Sequence, residues 1–206
     1  MVYIIAGATG VVGSAISIEL AKENEVNLIG RDEEKLSALS KEIDAQYSLI
    51  DLTDTIEQRE FSKIIPDEKE IKGLVNCIGS ILIKPLHGTK TEEFEEVLRV
   101  NLFSSYYLLS SFARRMKNGS AIFFSSVAGT KGLSNHEAIA AAKAGLEGMA
   151  RSAAASYAKD NLRVNVIAPG LMDTNMSQRL LATEQARELS KSCLLYTSDA
   201  ADDDVR

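Results

Sequence analysis

Apolar positions along the chain change period several times, and each change marks an element. Residues 2–6 (Val-Tyr-Ile-Ile-Ala) are a short apolar run bounded by glycine, which reads as a buried strand. Residues 10–23 then place Val12, Ala15, Ile16 and Leu20 at helical spacing. A second strand follows at 26–29. An amphipathic helix at 32–43 carries Leu36, Leu39 and Ile43 on one face. The pattern continues with a strand at 47–50, a helix near 56–64 and a strand at 73–78. A long helix at 91–116 carries Phe94, Val97, Leu98, Leu102 and Leu109. A strand at 121–124, an alanine-rich helix at 137–158 and a strand at 163–167 complete it. Strands alternating with helices predict a single-domain, Rossmann-like α/β fold. Its doubly wound parallel sheet has helices on both faces.

Composition narrows the class without changing this picture. The chain has 206 residues, 45% hydrophobic and 25% charged, ordinary values for a globular domain. No apolar run reaches the roughly 18 residues of a membrane span. A net charge of −6 argues against nucleic acid as a partner. Cys77 and Cys193 cannot form a disulfide framework, which suits the cytoplasm. The stretch from Cys193 to Arg206 lacks periodicity and carries four aspartates and one arginine, half of the net charge. It resembles the translation of a transposon-end sequencing adapter. Residues 1–192 are therefore expected to be the dinucleotide-binding domain, incomplete at its C-terminal end, and 193–206 a non-native tail. An ordinary disordered acidic tail is the other reading.

Candidate chemistry begins at the first strand–helix junction. Gly7-Ala-Thr9-Gly10-Val-Val12-Gly13 follows a strand and opens a helix. Glycine allows a tight turn and close approach to a pyrophosphate, and the helix N-terminus offers free N–H groups. A plain strand–helix turn would look alike. At the end of the second strand, Gly30 stands where NAD-preferring folds place a carboxylate. Arg31 follows it, and a guanidinium suits a 2′-phosphate. NADP(H) is therefore the expected cofactor, the alternative being that Arg31 is a solvated surface side chain.

With these residues in view, the chain resembles the short-chain dehydrogenase/reductase superfamily from Val2 to about Met176. By this resemblance Asp51 and Leu52 touch the adenine. Asn76-Cys-Ile-Gly79 matches the motif after the fourth strand, and Asn101 the structural and catalytic Asn. Ser126, in Ser125-Ser126-Val-Ala-Gly, matches the catalytic Ser, and Lys143 the catalytic Lys. Pro169, Gly170 and Thr174 match the loop that meets the nicotinamide. The resemblance implies hydride transfer between NADP(H) and a small carbonyl or alcohol substrate. It also implies a homodimer or homotetramer that pairs the helices starting at Thr91 and Glu137, with Ala138, Ala141 and Ala153 as small outer positions.

Two departures stand out. Val11 replaces a family glycine. More seriously, the family's Tyr-x-x-x-Lys motif is absent: counting back from Lys143 and forward from Ser126 both lead to Ile139, and no tyrosine lies between Tyr107 and Tyr157. Ser134-Asn-His-Glu137 reads as a capping box. The helix it starts would then align His136, Ile139 and Lys143 on one face. His136 is thus a candidate substitute acid, a bland surface histidine being the alternative. The residues contain no metal site. A non-catalytic NADP(H)-binding protein, with a sensing or interaction role, is the rival reading. An extended-branch epimerase shares the glycine spacing but still needs the missing motif.

Overall fold

The structure, a computed structural model, describes residues 1–54, 61–170, 172, 174 and 176–178. It has two compact units, Met1–Ala168 and Pro169–Arg206. Six strands build the first: β1 (Val2–Ala6), β2 (Glu25–Gly30), β3 (Gln46–Leu49), β4 (Ile71–Asn76), β5 (Ser120–Phe124) and β6 (Arg163–Ile167). All are parallel, in the order β3-β2-β1-β4-β5-β6. This is the strand order of dinucleotide-binding folds, and it reverses between β1 and β4. The expected doubly wound architecture is thus present.

The helices are α1 (Val11–Ala21), α2 (Glu33–Ile43), α3 (Thr91–Leu98), α4 (Ser104–Phe112) and α5 (Glu137–Ser156). Strand alternation sends successive side chains to opposite faces. Ile4 enters one core with Leu108, Phe112 and Leu146 from α4 and α5. Its neighbour Ile5 enters the other, with Leu36 and Leu39 of α2 and Ile16 and Leu20 of α1. A third, smaller cluster joins Val97, Ala128, Ala138, Ile139 and Ala142. Ala138 is therefore an inner residue, not the outer one that the sequence suggested.

The long helix expected at 91–116 is interrupted. Arg99–Phe103 forms a π-helical turn in which the Ser104 N–H reaches the Arg99 carbonyl. Side chains compete for the helix carbonyls here. Asn101 Nδ2 donates to the Val97 carbonyl at 3.0 Å, and Ser104 Oγ to that of Val100 at 2.7 Å. The helix expected near 56–64 lies partly outside the described residues; Ser62–Ile64 is a 3-10 turn. Residues 193–206 also lie outside them.

Candidate functional site: the strand ends at the sheet crossover

The reversal between β1 and β4 opens a crevice beyond the strands' C-terminal ends, where such folds hold ligands. On one side lies the glycine loop. Gly7 has φ +72°, a left-handed conformation that glycine adopts without strain. A Cβ on Gly13 would stand 2.1 Å from the Gly7 carbonyl oxygen, so α1 can pack on the loop only with glycine there. Gly10 caps α1 without any side-chain hydrogen bond. The first N–H groups of a helix have no partner within it. Those of Val11, Val12 and Gly13, beside half-buried Thr9, form a bare and electropositive cradle. It fits a pyrophosphate.

Arg31 and Asp51 lie beyond β2 and β3. The Arg31 side chain is 78% exposed and reaches Asp51 at 3.5 Å. Asp51 also accepts the Thr53 N–H at 2.9 Å and its hydroxyl at 2.7 Å. Partial burial alone would raise the Asp51 carboxyl; the two Thr53 donors and Arg31 outweigh it and hold the group below its ordinary value. Leu52 is 1% exposed in the main core, so its side chain is structural and only its main chain can face a ligand. Asp32 accepts the Lys35 N–H at 3.1 Å and pairs with its ammonium, which makes it the cap of α2.

The second wall joins residues distant in sequence. Asn76, at the end of β4, donates to the hydroxyls of Ser104 and Ser105 at 3.2 and 2.8 Å and accepts the Ile78 N–H at 3.0 Å. This buried amide fixes the chain that leads into Gly79. A Cβ on Gly79 would lie 3.3 Å from Asn101 Oδ1 and 3.8 Å from Lys143 Nζ. The three predicted residues therefore converge. Asn101 is locked by Ser80, whose N–H it accepts at 3.1 Å and whose hydroxyl it engages at 2.9 Å. Lys143 is buried and donates to the Phe124 carbonyl at 2.7 Å. Burial lowers its ammonium to about 8.

Ser126 Oγ accepts the Ala128 N–H at 3.2 Å, which leaves its proton to donate. Its neighbour Ser125 turns inward and donates to Glu147 Oε1 at 2.6 Å. Neither Ser80 nor Glu147 was singled out from the sequence, because each gains its role from a residue more than twenty positions away. Cys77 is mostly buried, and its thiol is pushed up to about 12.

His136 departs from expectation. Ser134 does not cap α5; His136 itself occupies the cap position, without a side-chain capping bond. The turn is closed instead by the His136 N–H on the Leu133 carbonyl, with Asn135 at φ +62°. The Lys84 N–H also holds the Asn135 carbonyl at 2.9 Å. His136 Nδ1 lies 2.7 Å from the Ser134 carbonyl, so Nδ1 carries a proton and Nε2 is left to act. Ile139 is 5% exposed and belongs to an apolar cluster. Pro169, Gly170 and Thr174 belong to the second unit, where the Thr174 N–H donates to Ser177 Oγ at 2.9 Å. Among the described residues no cluster of His, Cys, Asp or Glu is placed to hold a metal.

Residues 1–185 match the family model described as short chain dehydrogenase. This chain belongs to the short-chain dehydrogenase family. It is 32% identical over 201 residues to the 3-oxoacyl-[acyl-carrier-protein] reductase FabG of Thermotoga maritima, covering 93% of this chain and 81% of that protein. The corresponding Rickettsia bellii reductase is 31% identical over 183 residues, covering 86% and 75%. Among solved structures, a metagenomic short-chain oxidoreductase in complex with NADP is 33% identical, with a TM-score of 0.77 over 84% of this chain and 83% of that one. The family and fold expected from the residues thus hold.

Proposed function

We propose that this chain is an NADP(H)-dependent oxidoreductase that interconverts a small carbonyl compound and its alcohol. The observation that carries the reading is the convergence of Lys143 Nζ, Asn101 Oδ1 and Gly79 at the sheet crossover. The glycine cradle adjoins them, since a Cβ on Gly7 would stand 3.0 Å from the Cys77 carbonyl carbon. The cradle and the first turn of α1 hold the pyrophosphate, Arg31 the 2′-phosphate, Asp51 and the Leu52 main chain the adenine. Asn76, Gly79 and Lys143 complete the dinucleotide site. A bound reduced nicotinamide supplies hydride. Ser126 donates a hydrogen bond to the carbonyl oxygen and polarises it. Asn101 fixes the chain at Gly79 and Ser80. The NADP-bound relative and the two reductases support this reading.

The protein works as a homodimer or homotetramer. Leu102, Phe103, Tyr106, Tyr107, Gly145 and Met149 line an apolar groove along α4 and α5, and Tyr106 is 55% exposed. A groove of this kind suits a second copy.

One observation favours the rival, binding-only reading: Ile139 can transfer no proton. Nicotinamide fluorescence titration followed by NADPH oxidation with aldehydes, ketones and 3-oxoacyl thioesters separates the two. The reductase reading expects NADPH to bind more tightly than NADH, and turnover that drops in Ser126→Ala. Tight NADPH binding without turnover on any of these substrates would assign the chain to the binding-only class.

A further inference from the structure

Carbonyl reduction requires a proton as well as a hydride, and the residue that normally gives the proton has become Ile139. An ammonium beside a tyrosine phenol would lower the phenol's pKa, but with Ile139 at the tyrosine's place Lys143 has no phenol to act on. We propose that Lys143 itself delivers the proton to the carbonyl oxygen, its ammonium acting as the general acid. This rests on the reductase reading above.

The geometry separates Lys143 from the other titratable groups around it. Its Nζ hydrogen-bonds to Phe124, two residues before Ser126, and lies beside Gly79 and Asn101. It thus lies against the end of β5 that leads into Ser126 and beside the Gly79 wall of the crevice. One of its three protons goes to the Phe124 carbonyl; among the described residues no carboxylate pairs with it. Glu147, one turn onward, is held by Ser125. Cys77, on the loop after β4, keeps its thiol proton at neutral pH because burial has raised it. His136 stands two turns earlier, about 10 Å along the helix axis at 1.5 Å per residue. Ile139 fills the interval between them with an apolar cluster.

The step balances simply. Hydride adds to the carbonyl carbon while an N–H bond of Lys143 breaks and an O–H bond forms. Lys143 is left as a neutral amine, which regains its proton from water. In the reverse direction the neutral amine accepts the hydroxyl proton. Buried without a counter-charge, the ammonium loses its proton near pH 8. Reduction, which needs the ammonium, should therefore fall above that pH, and alcohol oxidation should rise through it.

The test has two readouts. Competitive acetylation of the full chain over a pH series, read by mass spectrometry, titrates the Lys143 amine without cofactor or substrate. A midpoint near 8 is expected; a midpoint in the ordinary lysine range overturns the proposal. The second readout is Lys143→Arg, which keeps the positive charge for the ribose but cannot release a proton in this range. It should still bind NADPH in the fluorescence titration and lose turnover by roughly 10²–10⁴-fold, the contribution of a general acid. Turnover that survives Lys143→Arg, with a pH limb displaced by His136→Gln, moves the proton to His136 and overturns the assignment alone. A wild type that binds NADPH but reduces nothing overturns the reductase reading and the proposal with it.

Discussion

The two walls of the crevice are built on opposite principles. The glycine loop works through side chains that are missing: Gly7 supplies the φ, Gly13 the close approach, Gly10 the uncapped helix end. The wall at β4 and β5 works through side chains bonded over long sequence separations. Asn76 holds Ser104 and Ser105, Asn101 holds Ser80, and Ser125 holds Glu147. A backbone site tolerates almost any neighbour, and Val11, which by the resemblance stands in place of a glycine, still opens α1. A side-chain site can exchange one functional group for another only where the surrounding bonds stay intact. The resemblance puts such a replacement at Ile139, with Asn101 and Lys143 still in place.

The sharpest way to break this contrast is to put a side chain into the bare wall. In Gly13→Ala the new Cβ would meet Gly7 main-chain atoms at 2.1 and 2.8 Å, and neither can rotate away. The cost should lie near the top of the roughly 1–3 kcal/mol range for overpacking. For a domain of this size that lowers the melting temperature by about 10 °C. NADPH binding should be lost at the same time. A calorimetric melt and a fluorescence titration check both, and a stable variant that binds normally would show that the loop relaxes freely.

The other wall is tested through its buried charge. Lys143 titrates near 8 in the folded chain, against an ordinary 10.5. Between those values the unfolded chain binds more protons than the folded one, so stability rises with pH across that interval. Below pH 8 both states carry the proton, and the folded state bears the full cost of the buried ammonium. At about 1.4 kcal/mol per pKa unit, that cost is about 3 kcal/mol. Lys143→Met should therefore stabilise the cofactor-free protein by up to about 3 kcal/mol below pH 8. The advantage should fade as pH approaches 10.5. Urea unfolding of both proteins across this range measures it. A pH-independent difference would show that Lys143 is already hydrated.

Much of the fold was legible because periodicity reports burial directly. Ile4 and Ile5, adjacent in sequence, do enter opposite cores. The glycine loop was legible for a similar reason, since its sterics are local. The π-turn at Asn101 was not, because a helical pattern does not record which side chain takes a carbonyl from the ladder. The start of α5 at Glu137 was legible, but not what caps it. Ser134 and Glu137 have capping-box spacing, but Asn135 is turned left-handed and tied to Lys84, about a quarter of the chain away in sequence. The identity of Ile139 was plain in the sequence; its burial in an apolar cluster was visible only in three dimensions.

The smallest effect belongs to the rim of the glycine wall. Arg31 is exposed and its contact with Asp51 is long, so the pair itself contributes at most about 1 kcal/mol to folding. Removing the guanidinium in Arg31→Ala should leave the melting temperature almost unchanged. Its effect should appear in cofactor choice. A 2′-phosphate would lose charge-assisted hydrogen bonds, and the Asp51 carboxylate beside it would no longer be offset. Hydrogen bonds to charged groups contribute about 1.5–3 kcal/mol, and solvent exposure puts this site at the low end, an expected loss of roughly tenfold in NADPH affinity. NADH, which lacks the phosphate, should bind the variant about as well as the wild type. The difference should also shrink as salt is raised, because an exposed charge pair is screened. Fluorescence titrations of both cofactors at low and high salt supply all four values, and equal weakening of NADPH and NADH would remove Arg31 from the 2′-phosphate site.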